Sequence, residues 1–181
     1  MKELSLNILD IAENSVRAKA KNIVIVIDEK PDTILVEVSD DGCGMTEEFL
    51  KNVTDPFCTT RKTRSVGLGI SLLKLEAELT GGYVQVKSVH ESVSPENHGT
   101  VTSALFYKNH IDTTPLGDIV STIVTLVQCN PKLDFLFRHV MPDKEVSLNT
   151  KEMREQLGDV PLNNAEVVWW MRGYLEEQYG N

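Results

Sequence analysis

The sequence predicts an α/β two-layer sandwich, one layer of helices on a largely antiparallel sheet, with a small α+β domain appended at the carboxyl end. Two observations carry this. Between residues 4 and 107 the elements follow the order helix, strand, strand, helix, loop, helix, strand, strand. After Asn109 the character changes through the linker-like Asp112-Thr113-Thr114-Pro115, which divides the chain into residues 1–108 and 109–181.

Composition bounds the function classes. With 41% apolar and 25% charged residues the chain can build a real core, and no stretch approaches the ~20 apolar residues that cross a bilayer. The amino end reaches Asp10 before an apolar run develops, so neither export nor membrane insertion is expected and the chain is assigned to the cytoplasm. A net charge of -9 repels nucleic acid and anionic lipid, so any phosphate must be held by a local site. Cys43, Cys58 and Cys129 lie far apart without metal-ligand spacing and read as reduced thiols.

Residues 4–20 have helical periodicity. Leu4, Ile8, Ile11, Ala12 and Ser15 form one stripe, while Asn7, Asp10, Asn14 and Arg17 fall together on the other side, within reach of one ligand. Two β-rich runs, residues 22–28 and 33–39, flank the turn Glu29-Lys30-Pro31-Asp32 and predict a hairpin. The second run empties into Asp40-Asp41-Gly42-Cys43-Gly44-Met45, where glycines let the backbone bend and approach a flat ligand. Thr46 starts a short helix. The stretch 55–65, with Arg61, Lys62 and Arg64, lacks either period and is expected to be a mobile basic loop; it leads into Gly67-Leu68-Gly69. A helix follows over 70–79, ended by Gly81-Gly82, then strands over 83–89 and 100–107.

Beyond the linker, residues 117–129 predict a strongly apolar helix, and 133–140 and 144–148 predict paired strands. Asn149 with Glu152 forms a capping-box-like helix start. A last helix over 165–178 carries Val167, Val168, Trp169, Trp170, Met171, Tyr174 and Leu175 on more than one face. Some 70 residues make a thin core by themselves, so this helix surface is expected to pack on residues 1–108 or on a second copy in a homodimer.

An amide-bearing helix, a strand ending in Asp-x-Gly-x-Gly, a basic loop, Gly-x-Gly opening a helix, and Gly-Thr in a terminal strand form one ordered set. Across residues 1 to about 108 this set resembles the histidine-kinase-like ATPase superfamily. "AENSVRAKAKNIVIVI" with "VSDDGCGM" is similar to mismatch-repair ATPases, and "DPFCTTRKTRSVGLGISLLKLEAELTGG" with "HGTVTSALF" to the catalytic domain of sensor histidine kinases.

The resemblance implies a Bergerat-type ATP-binding fold and a set of roles. Asp40 would accept a hydrogen bond from the exocyclic amine of adenine, where guanine presents an oxygen. Gly42 and Gly44 would lie under the base, Met45 would supply apolar contact, and Thr100 would add a hydroxyl near Asp40. Asn14 would hold Mg²⁺ through its amide oxygen and Arg17 would meet phosphate oxygens. Gly67, Leu68 and Gly69, at a helix amino terminus, suit a triphosphate. The basic loop would close over it with Lys62 in contact and Phe57 as anchor.

Two departures from the pattern stand out: Ser65 replaces a glycine of the kinase loop, and Asp10 stands where gyrase-type ATPases have a Glu base and sensor kinases commonly an Asn. Asp10 is therefore the candidate catalytic residue, one methylene short. His90, His98, His110 and His139 all follow the nucleotide motifs and read as loop or surface residues, so no phospho-acceptor hairpin is expected and the acceptor would belong to a partner protein. The implied function is a Mg-ATP-binding kinase or weak ATPase of two-component type regulating a partner; alternatively a nucleotide-switched binding module without catalysis, or a mismatch-repair-like ATP clamp.

Overall fold

The computed structural model describes residues 3–55 and 68–180. The elements run in the order α1 (Leu4–Arg17), β1 (Asn22–Glu29), β2 (Thr33–Asp40), α2 (Glu47–Lys51), α3 (Leu68–Leu79), β3 (Tyr83–Val89), β4 (Gly99–Tyr107), α4 (Ile119–Cys129), β5 (Asp134–Val140), β6 (Glu145–Asn149), α5 (Thr150–Leu157) and α6 (Ala165–Tyr179).

Alternation decides which face of each strand is buried. Ile23, Ile25 and Ile27 of β1, Ile34, Val36 and Val38 of β2, and Thr102, Ala104 and Phe106 of β4 point into one core, with half-buried side chains between them. Leu4, Ile8, Ile11 and Ala12, four of the predicted stripe on α1, meet that face. The helices thus cover one side of a mixed sheet, as the sequence predicts.

Local stops agree with their chemistry. Thr46 caps α2, its hydroxyl accepting Phe49 N–H at 3.3 Å. Asn149 caps α5 by accepting Lys151 N–H at 3.1 Å while its amide donates to Glu152 at 2.7 Å. Gly81, at φ +83, ends α3.

The sheet does not stop where the composition changes. Its order is β3-β4-β2-β1-β5-β6, and β5 pairs with β1 in parallel, Asn22 opposite Asp134 through Asp28 opposite Val140. Every other strand pair is antiparallel. Residues 109–181 continue the first sheet rather than closing one of their own, and Ile123, Val127, Phe135, Phe137, Val146 and Leu148 join the same core as Ile23 and Ile25. The physical reason is the edge of β1: unpaired, its backbone groups would need water, whereas a fifth strand satisfies them and buries two phenylalanines. The linker binds back as well, Leu4 and Ser5 donating their N–H groups to Pro115 and Leu116 at 2.9 and 2.8 Å. Among the described residues no helix is long and apolar enough to cross a membrane.

Candidate functional site

The site is built where α1 ends against the turn that follows β2. Helix α1 stops at Ala18, and Lys19 takes a left-handed φ of +60, so that Ala20 N–H returns to Ser15 O at 3.1 Å. Ala18 O then accepts Cys43 N–H at 2.8 Å, which docks the glycine-bearing turn on the helix end. A Cβ on Gly42 would stand 2.7 Å from the Ala18 Cβ, so only glycine fits between them.

The two consecutive aspartates have different tasks. Asp41 accepts Lys21 N–H at 2.7 Å, Asn22 N–H at 2.9 Å and the Asn22 amide at 2.6 Å. Burial pushes its carboxyl upward, but the Asn22 and Lys21 hydrogen bonds outweigh this and hold it below the usual carboxylate range. Asp40 closes β2, opposite Thr100 of β4. Its Oδ1 accepts Gly42 N–H at 2.9 Å and its Oδ2 accepts the Ser15 hydroxyl at 2.6 Å. Each oxygen retains a lone pair for an external donor.

Thr100 lies beside Asp40 in register, yet its hydroxyl belongs to another cluster. Ser88 Oγ donates to Gly99 O at 2.9 Å and accepts Met45 N–H at 2.8 Å; the Thr100 hydroxyl, 2.8 Å away, then donates to it. One hydroxyl so ties the half-buried Met45 to β3 and β4. Gly44 (φ +69) runs so close to β3 that a Cβ would lie 2.0 Å from Val89 O. His98 Nδ1 donates to Gly42 O at 2.5 Å, closing the other side.

Along α1 the polar stripe divides. Asn14 Oδ1 accepts Arg17 Nη2 at 2.5 Å, and Arg17 also reaches Glu13 at 3.3 Å. Asp10 abuts the first turn of α3, since a Cβ on Gly69 would lie 3.6 Å from Asp10 Oδ2. Asn7 leaves this group: it is buried, its amide donates to Glu76 of α3 at 2.6 Å, and its Oδ1 has no hydrogen-bond partner among the described residues. It fastens α1 to α3 instead of facing a ligand.

Asp10, Asn14, Arg17, Asp40, Gly42, Gly44, Met45 and Gly69 therefore gather around the carboxyl half of α1 and the turn after β2. Leu68 and Gly69 open α3, while Phe57, Lys62 and Gly67 lie outside the described residues. Sequence reasoning missed Ser15, Ser88, Asp41 and His98. Ser15 was legible only as an apolar-stripe residue, because its partner stands 25 positions away. His139 also departs from the surface placement: it is 2% exposed on β5, with Nδ1 at 2.8 Å from the Tyr179 hydroxyl and Nε2 at 3.2 Å from Glu29. Among the described residues no group of His, Cys, Asp and Glu is arranged to hold a metal by itself, and Cys43 and Cys129 are free.

Comparison with known proteins bears on this geometry. The chain is 35% identical over 102 residues to sporulation kinase E of Bacillus subtilis, covering 56% of this chain and 13% of that protein. It is 31% identical over 90 residues to sensor protein KdpD of Clostridium acetobutylicum, covering 47% of this chain and 10% of that protein. The chain thus spans roughly an eighth or less of the curated relatives it matches. Among solved structures, the ADP-complexed MutL ATPase domain of Aquifex aeolicus aligns with a TM-score of 0.56 at 16% identity, over 87% of this chain and 68% of that one. The N-terminal domain of a DNA repair protein aligns at 0.55 and 14% identity, over 82% and 53%. At such identities these two show the fold, over more of the chain than residues 1–110. The profile of histidine kinase-, DNA gyrase B-, and HSP90-like ATPases matches residues 2–110, the stretch that holds α1, the turn after β2, the opening of α3 and β4, and the chain belongs to that family.

Proposed function

We propose that the chain binds Mg-ATP at the Asp40 turn and acts as a kinase-type regulator on a partner protein. The observation that carries this reading is the Asp40 carboxylate. Ser15 and Gly42 fix its two oxygens at the end of β2, above a backbone kept bare by Gly42 and Gly44. A carboxylate so oriented, with lone pairs to spare, suits the exocyclic amine of adenine and opposes the carbonyl of guanine.

The remaining residues fit the phosphate end. Asn14 offers the hard oxygen that Mg²⁺ requires, an oxygen that accepts from the Arg17 guanidinium. The first N–H groups of α3 and the Arg17 charge would hold phosphate oxygens, with Phe57, Lys62, Gly67 and Leu68 completing the enclosure. Bound Mg²⁺ would neutralise phosphate charge. Asp10, against Gly69, stands where it could orient a water or a nucleophile, but its short side chain makes hydrolysis slow.

Calorimetry tests the nucleotide assignment. ATP with Mg²⁺ should bind in the micromolar range, about -8 kcal/mol, and GTP far more weakly. Asp40→Asn should cost about 2 kcal/mol of ATP binding. Equal affinity for ATP and GTP would sink the reading. Labelled ATP incubated with the chain in a cell extract then separates transfer to a partner from slow release of phosphate.

A second reading, a nucleotide-switched binding module, is favoured by the packing of α1 on α4 and of α4 on α6. The aromatic surface of α6 is thereby two packed helices from Asn14. Binding without any turnover would select it.

A further inference from the structure

Helix α6 buries one stripe and leaves another bare. Val167, Met171 and Leu175 face the core, while Trp169 is 78% exposed, Trp170 48% and Tyr174 39%. The Trp170 and Tyr174 rings stack at 5.0 Å and 14°, so the exposed stripe is a preformed flat platform rather than a set of loose side chains. An open groove of about 610 Å³ runs along Ala165, Glu166, Trp169 and Trp170. Aromatic side chains left in water at this density mark a surface that another body covers.

A glycine on the same face supports this independently. Gly173 sits inside the helix, exposed, without positive φ, and a Cβ built there would meet nothing within 4 Å. Glycine is unfavourable in a helix interior, and nothing among the described residues needs this one. It is explained if a second backbone must come close to α6 at that point.

Charge selects the occupant. The stripe is bounded by Glu166 and Glu177, neither of which pairs with a cation among the described residues; Arg172 turns away to Ser121 at 3.0 Å and Glu176 at 3.8 Å. A second copy fits poorly. An antiparallel two-fold pairing that seats Trp170 on the partner's glycine shares its midpoint with Glu166 and Glu177, and so sets one carboxylate against the other. A partner helix with cations at the same separation, three turns or about 16 Å, would pair with both and could lay guanidinium groups on the indoles.

We infer that the Trp169–Trp170–Tyr174 face of α6 docks a basic amphipathic helix of another protein, small or apolar at its centre and cationic at both ends.

The chain's 2 tryptophans both lie on this face, so intrinsic fluorescence of the full chain reads it directly. The probe is a stapled helical peptide of about 18 residues, long enough to be helical, with arginines eleven positions apart and leucine and alanine between. It should shift the emission to the blue and saturate, whereas the same peptide with glutamates in place of the arginines should not bind. Glu166→Lys with Glu177→Lys should reverse that preference, and Gly173→Ala should raise the melting temperature while weakening the arginine peptide about tenfold. That opposite pair of effects separates a docking role from a structural one. Equal binding of both peptides, binding of neither, or a wild-type dimer in sedimentation that Trp169→Ala with Trp170→Ala dissolves would overturn the proposal, the last outcome in favour of a second copy.

Discussion

The Ser15 hydroxyl donates to Asp40 Oδ2 at 2.6 Å, joining the last turn of the first helix to the end of the second strand. Ser15 is buried, so this bond orients the carboxylate from below while leaving its outer lone pairs open. Ser15→Ala removes a donor to a charged group and should cost about 1.5–3 kcal/mol shared between stability and ATP binding. Calorimetry should show an affinity loss of at least tenfold with GTP binding unchanged. An ATP affinity equal to that of the wild type would mean that Asp40 holds its position without Ser15.

Among the described residues the Asn14 side chain hydrogen-bonds Arg17, on an exposed face, so its removal leaves the core intact. Asn14→Ala should weaken ATP binding in Mg²⁺ by about tenfold and leave adenosine binding nearly unchanged, because only the phosphate end is involved. Parallel losses for both ligands, with the circular dichroism spectrum altered, would point to helix damage instead.

His139 makes stability depend on pH. Burial pushes its pKa below the ordinary 6.5, and the facing Glu29 only partly restores it, with Lys144 and Lys108 also opposing protonation. Tyr179 packs against the other ring nitrogen, its own phenol pushed up by burial. A histidine whose folded pKa is depressed contributes stability that is complete above 6.5 and is lost as pH falls through the folded value. Burial raises the Glu29 carboxyl, but the Lys108 ammonium at 2.6 Å and His139 hold it below 4.5, so it adds a loss of the same sign further into acid. Denaturation melts should therefore fall from pH 7 downward, and His139→Gln should flatten the upper part of that slope. A melting temperature independent of pH between 7 and 5 would refute this account.

Removing residues 109–181 strips β5 from β1 and α4 from α1. The fragment ending at Lys108 would expose a full strand edge and the faces of Ile23 and Ile25 that Phe135 and Phe137 help to cover. It should aggregate, or melt well below the intact chain, even though it contains every residue assigned to the nucleotide site. Size-exclusion chromatography with a thermal melt decides, and a soluble monomer of unchanged melting temperature would show that the seven elements from α1 to β4 suffice.

What the sequence by itself determined is whatever a few neighbouring positions encode. The 3.6-residue stripe of α1, the caps at Thr46 and Asn149, the turn residues from Asp40 to Gly44 and the strand limits of Tyr83–Val89 all follow from spacing within one or two turns of chain. The ordered set of glycines, Asp40 and Asn14 sufficed to indicate the family. The tertiary structure decided what each segment meets. Nothing near residue 134 states that β5 will pair in parallel with β1, because that choice depends on the edge β1 leaves open more than a hundred residues earlier. Nor does local pattern tell that Ser15 will turn from an apolar stripe to Asp40, that Asn7 will leave its polar stripe for Glu76, or that His139 will be sealed under Tyr179. Each of these polar groups is buried by packing first and takes the donor or acceptor that packing brings within about 3 Å, a choice made only when distant segments have met.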